Sequence, residues 1–238
     1  MMRPVLALHP MFGSGAIWKG VAERVGPPLL APDLPGHGAE PEARGDYFAA
    51  ALSVARNAVP EGRFHLVGHS FGAVLALALL AEGVRPDTVT LVEPVFFAAA
   101  SEDARAAHLA QMAPFSAALA AGNPEEAARL FHGLWGLGAW ETLAPRLRAG
   151  LTARITMIAA TEGPMMDDMT EILLRLPSAP PPTLIVTETE PPAIVDGVAQ
   201  GLIARLAGAR IVRLGQGHML PVTAPGPLAR AMAEIWGD

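Results

Sequence analysis

Four side chains stand out by type and by surroundings: Ser70, His218, Glu93 and Glu190. Ser70 lies in "FHLVGHSFGAVLALALLAEG", where one apolar run turns directly into another. A strand feeding straight into a helix needs a tight bend. Gly68 and Gly72 leave room for it, and the bend lifts the Ser70 hydroxyl out at the C-terminal edge of the strand. The helix that begins near Phe71 points unpaired backbone N–H groups at the same spot. A hydroxyl beside an anion-stabilising nest is what acyl transfer requires. The plain alternative, a serine that only caps a helix, does not account for the two flanking glycines.

His218 is one of seven histidines. It follows the strand-like "ARIVRL" and a Gly-rich turn, so it too is expected at a C-terminal strand edge, where Ser70 emerges in a parallel sheet. Its imidazole could take the Ser70 proton and return it to a leaving group. Such a histidine needs a carboxylate to hold its tautomer. Glu93 ends the β-branched segment "TVTLVEP", where a lone carboxylate in an apolar run costs several kcal/mol unless it is paired. Glu190, in the polar loop "TETEPPAIVD", would cost little if idle. Glu93 is placed ahead of Glu190, and both stay open. A cap on nearby N–H groups is the alternative role for Glu93, and a solvated loop charge that for Glu190. Glu188 is a neighbour, and Asp196 lies too far into the next helix to be a first choice. His69 is expected to pack under the bend and His65 to lie within its strand. His108 and His132 could line a pocket, but a solvated helix face is the favoured expectation. No His/Asp/Glu cluster has metal-ligand spacing, so neither a metal nor a cofactor is expected.

These groups need a scaffold. The chain has 238 residues and is 51% hydrophobic, with mean hydropathy +0.34, enough for one substantial core and too apolar for general disorder. Net charge is -6 and no basic stripe is present, which argues against a nucleic-acid partner. Cysteine is absent, which excludes disulfides, thiolate metal sites and a cysteine nucleophile. The apolar run in "MMRPVLALHPMFGSG" is broken by His9 and Pro10, unlike a signal peptide. The longest apolar stretch, "GAVLALALLA", is only about half a membrane span. A cytoplasmic protein without a membrane span is the expectation.

Short apolar strands alternate with helical patterns from "PVLALH" to "TVTLVEP", and the alternation resumes at "PTLIVTE". That pace predicts an α/β fold, a mostly parallel sheet with helices on both faces. The middle is helical in pattern. "ARITMIAA" from Ala153 is its best strand candidate, with a helix left open. The chain therefore reads as an α/β core of residues 1–95 and 181–238 with a helical insertion at 96–180.

Four segments in order carry a family resemblance: "LHPMFGSGAIW", "APDLPGHG", "GHSFG" and "GQGHMLPVTAP". Together they resemble the α/β-hydrolase fold family, in its esterase-like branch, over the whole chain except the middle. The resemblance implies a nucleophile elbow at Ser70, a base at His218 and a helical cap at 96–180. It implies an oxyanion hole from the backbone N–H groups of Phe71 and Met11. Pro10 stands where that loop usually has Gly; it removes one N–H but not the one required, and Phe12 competes as donor. His9, His37 and Asp33 are implied to order the loops. The usual acid is an Asp where this sequence offers Glu190, while some members use the strand end where Glu93 stands. The expected reaction is hydrolysis of a small to medium apolar ester through a Ser-His-Glu triad and an acyl-enzyme, with the acyl substrate and water as partners. A C–C bond, lactone or amide hydrolase of the same fold, or an inactive binding protein, are the alternatives.

Overall fold

The computed structural model describes residues 2–237. Six strands form one sheet: β1 Val5–Leu8, β2 Leu29–Leu30, β3 His65–His69, β4 Thr88–Val92, β5 Thr183–Thr187 and β6 Arg210–Arg213. Their order is β2-β1-β3-β4-β5-β6 and every pairing is parallel. The four inner strands are buried along their whole length, whereas β2 and β6 at the edges are partly exposed. Burial on both faces is why the inner strands read as continuous apolar runs rather than alternating ones.

The two faces separate cleanly by parity. Leu6, Leu8 and Leu66 join one core cluster with α2 (Tyr47–Asn57) and α3 (Phe71–Ala81), while Val5, Ala7 and Val67 join a second one. That second cluster holds Trp18, Val21 of α1 (Lys19–Ala22), and Leu228 and Met232 late in the chain. Asp46 caps α2 by accepting from the Ala49 N–H at 3.1 Å. Ten residues of α3, Phe71 to Leu80, are buried, so the helix is apolar all round.

Between β4 and β5 the described residues form only helix and loop. The helices are α4 Glu102–Ala120, α5 Pro124–Trp135, α6 Pro145–Arg154, α7 Thr156–Ala160, α8 Glu162–Met166 and α9 Ile172–Arg175. The segment "ARITMIAA", a strand candidate for which a helix is also open, is the end of α6 and all of α7. Its two isoleucines, Ile155 and Ile158, stand three apart and turn to one side of a helix, where both pack with the neighbouring helices. Arg154 fastens the same stretch: its Nε donates to the Gly150 carbonyl one turn back, and its Nη1 to the Gly36 carbonyl. Helices α4 to α7 bury a small cluster of their own around Phe115, Ala127 and Ile155. Met165, Met166 and Ile172, by contrast, pack into the main core, so α8 and α9 belong with the sheet's helical layer. After β5 come α10 Ala193–Ile203, α11 Leu220–Thr223 and α12 Pro225–Trp236.

Candidate active site

The bend at Ser70 is tight because its neighbours allow it. Ser70 has φ 55° and ψ -117°, a conformation that costs a non-glycine residue energy. A Cβ on Gly68 would collide with the carbonyl of Gly72, and one on Gly72 with the carbonyl of Leu8 in β1. The two glycines therefore let the elbow close on itself and settle against the adjacent strand. Phe12 and Glu93 also have positive φ, 62° and 48°. Strained residues thus flank the same sheet edge, a pattern typical of functional sites.

Glu93 follows β4 directly and is fully buried. Its Oε2 lies 3.0 Å from His218 Nδ1, and its Oε1 accepts from the Glu188 N–H at 2.6 Å. The carboxylate is paired on both oxygens, which is how burial is tolerated. Glu188 in turn accepts from the Gly217 N–H at 2.6 Å, tying the loop after β5 to the loop that carries His218. Glu190 is exposed, and the structure does not bring it to His218. Pro191 and Pro192 carry the chain away into α10 at once. Asp196 pairs with Arg213 on the outside.

Two loops hold each other through histidines. His9 accepts from the Leu34 N–H and His37 from the Phe12 N–H, both at 2.8 Å. Each ring places its Nδ1 on a nearby carbonyl, Pro10 for His9 and Pro35 for His37. These partners assign both rings as neutral Nδ1–H tautomers. Burial pushes His9 down to about 4 and also lowers His37. Asp33 completes the lock by accepting from Gly15 and Ala39. The partial burial of that carboxyl works against ionisation, but the N–H bonds from Gly15 and Ala39 outweigh it and its pKa is lowered. The Phe12 N–H, the competing oxyanion candidate, is engaged in this lock.

Ser70, His218, Met11 and Phe71 line one cavity of about 380 Å³. The helices between β4 and β5 roof it with Met112, Phe131, Leu151 and Ile155 among others. No Asp, Glu, Lys or Arg among the described residues lines it. His108 and His132 do line it, contrary to the solvated helix face expected for them. His108 is 5% exposed, and burial lowers its pKa. Helical periodicity could not place them, since α4 and α5 pack on the cavity through a short apolar stripe that those histidines extend. His69 is fully buried; its Nε2 donates to the carbonyl of His218 at 2.8 Å. Among the described residues no cluster of His, Cys, Asp or Glu could hold a metal ion, and no helix is long and apolar enough to cross a membrane.

A sharp turn from a central parallel strand into a buried helix, with a strained serine at its tip, is characteristic of one fold class. The chain matches the alpha/beta hydrolase family over residues 5–231 and belongs to it. It is similar to Lipase LipV of Mycobacterium tuberculosis, 38% identical over 89 residues, which is 36% of this chain and 33% of that lipase. Among solved structures it resembles a hydrolase from Pseudomonas aeruginosa PA01 (TM-score 0.73, 24% identity, 99% of this chain and 91% of the other). It also resembles a haloalkane dehalogenase loop variant, DbeA-M1, from Bradyrhizobium elkanii (TM-score 0.71, 21% identity, 99% and 89%). A third is an alpha/beta hydrolase from Sphaerobacter thermophilus (TM-score 0.70, 22% identity, 98% and 92%). At these identities the structural likeness speaks to the fold.

Proposed function

We propose that this chain is a serine hydrolase of small to medium, uncharged apolar esters. The helices between β4 and β5 serve it as a cap. The observation that carries the reading is the 3.0 Å contact of Glu93 with His218 Nδ1, in a ring that shares a cavity with Ser70. In this reaction His218 Nε2 removes the Ser70 proton while Oγ attacks the acyl carbon. The carbonyl oxygen becomes an oxyanion and is met by the N–H groups of Met11 and Phe71. Glu93 keeps the Nδ1 proton in place and steadies the imidazolium. The imidazolium protonates the departing alkoxide, which leaves as alcohol, and an acyl-Ser70 ester remains. Water then attacks that ester with its proton passing to His218, and Ser70 regains a proton as the acid is released.

The nucleophile's chemistry separates this reading from alkyl transfer. Displacement of a halide by a serine would leave an alkyl ether, which has no carbonyl for water to attack. Among the described residues no Asp, Glu, Lys or Arg lines the cavity, which favours neutral acyl groups, since a buried charge there would lack a partner. A fluorophosphonate probe tests the assignment without a known substrate. It is expected to label Ser70, located by mass spectrometry, and to fail on Ser70→Ala and His218→Ala. Labelling at another residue, or none in the folded wild type, would overturn it. A series of p-nitrophenyl esters should show turnover for neutral acyl chains and at least about 10-fold less for chains ending in a carboxylate.

A further inference from the structure

The proposed reaction makes His218 a cation in each half-cycle, and Glu93 meets that charge only at Nδ1. Another residue meets the ring itself. Trp135 is the last residue of α5 and lines the cavity. Its indole centroid lies 4.9 Å from that of the His218 imidazole, with an interplanar angle of 68°. This is an edge-to-face pair, the arrangement in which ring quadrupoles attract. Protonating the imidazole turns the pair into a cation beside an indole. An indole whose face meets the cation within about 6 Å is the strongest aromatic partner for it, and the effect grows when water is excluded. His218 is only 9% exposed.

Trp135 is itself held. Its centroid lies 5.8 Å from His108 and 6.3 Å from Phe97, and those two rings are 4.5 Å apart. The cluster joins α4, α5 and the turn after β4 around one catalytic ring. The other ionisable groups facing this arrangement are few. Glu93 touches His218 at Nδ1, and His69 and His218 have ring centroids 5.1 Å apart. His108 touches Trp135, while His132 lies on the cavity wall with its Nε2 donating to the Gly138 carbonyl. Burial disfavours the charged forms of His69 and His108, the two histidines in ring contact with His218 and Trp135 respectively.

We propose that Trp135 is a positioning residue for His218, favouring its protonated form through the indole ring and so making the seating of α5 over the cavity a condition of full turnover. This rests on the reading of His218 as the base of a serine hydrolase. The proposal differs from simple packing in one respect: it requires the charge on His218 to feel the electron richness of the Trp135 ring.

The test uses His218 directly, by NMR titration of the histidine-labelled protein. Trp135→Phe and Trp135→Leu should both weaken protonation of His218, Leu more than Phe. Turnover of an activated neutral ester should fall by about 2-fold to 30-fold in Trp135→Leu, mainly in kcat. Loss of packing alone lets water reach the ring and moves the titration the other way, so an unchanged or raised titration point overturns the proposal. If Trp135→Leu fails to fold, growth on fluorinated tryptophans keeps size and fold while draining the ring of electron density. Trp135 is the tryptophan in ring contact with His218, so the His218 signal reports it although the chain has 4 Trp. A stepwise fall of the titration point with fluorine number supports the proposal, and no trend overturns it. The underlying reading fails separately: it is lost if wild type escapes the fluorophosphonate, whatever the titration shows.

Discussion

His69 donates from Nε2 to the backbone carbonyl of His218 at 2.8 Å, across 149 positions of sequence. The residue before the proposed nucleophile thus fixes the loop that carries the proposed base. The opposite ring atom, Nδ1, is buried without a hydrogen-bond partner among the described residues, which together with the donated Nε2–H makes the ring neutral. Burial, then the neighbouring His218, hold it well below the usual histidine range. His69→Leu should leave that buried carbonyl unsatisfied, costing about 1–3 kcal/mol in stability. It should also lower kcat about 10-fold by loosening the base. His69→Gln, which can return an N–H to the same place, should recover most of the kcat. Equal kcat in the Leu and Gln variants would show that the bond does not position His218.

Glu93→Gln should reduce kcat about 100-fold or more, because the amide cannot hold the Nδ1 proton and balance the imidazolium as a carboxylate does. Glu190→Gln should stay near wild type, since the side chain is exposed and apart. Glu188→Gln should fall between, for it touches Glu93 through its backbone and Gly217 through its carboxylate. Steady-state kinetics on one ester, with circular dichroism for folding, ranks the three. A larger loss in Glu190→Gln would reverse the assignment.

Acid should unlock the loops around Met11. His9 ionises near 6.5 when exposed but at about 4 when folded, because burial opposes its charge. Between those values the unfolded chain binds the proton and the folded one does not, so stability is full above about pH 6.5 and falls as pH drops toward 4. From His9 alone the loss is on the order of 3 kcal/mol. His37 and His69 shift in the same direction and add to it. Urea midpoints measured from pH 7.5 down to 4.5 should decline steadily. A flat profile would show that these rings are not the neutral acceptors described.

Gly72→Ala should be far more harmful than Gly83→Ala. A Cβ at Gly72 meets the Leu8 carbonyl, which is backbone in the central sheet and has nowhere to go. Gly83 has φ +95° at the end of α3 with open space around it, so alanine there costs only the backbone strain, about 1–2 kcal/mol. Thermal denaturation of the two variants compares them. Similar melting temperatures would mean the elbow can open without penalty.

Much of this arrangement is legible in the sequence because local chemistry and tertiary need coincide at particular residues. Gly68 and Gly72 mark a bend that only small residues permit, and the apolar strands on either side say which edge it opens on. Glu93 is visible as a charge that an apolar strand end cannot carry alone. Glu190 draws notice by its distance along the chain from His218, a quantity blind to the direction in which Pro191 and Pro192 send the loop. Glu188, two residues earlier, works through a backbone N–H that no side-chain motif records. Ile155 and Ile158 give "ARITMIAA" a strand-like look, but both pack in the helical cluster around Phe115. The pairing of His69 with His218 depends on where the sixth strand docks, and no local pattern carries that.

The 125 positions between Glu93 and His218 also set a schedule. A ribosome adding about 5–20 residues per second needs on the order of 6 to 25 s to cover that distance. During that interval the growing chain carries the serine and the carboxylate but no base. The histidine arrives only after β6, an edge strand paired on one side alone, has been made. If the proposed assignment holds, a half-made chain is therefore chemically mute, and reactivity waits for the stretch of chain beyond β6 to be added and docked.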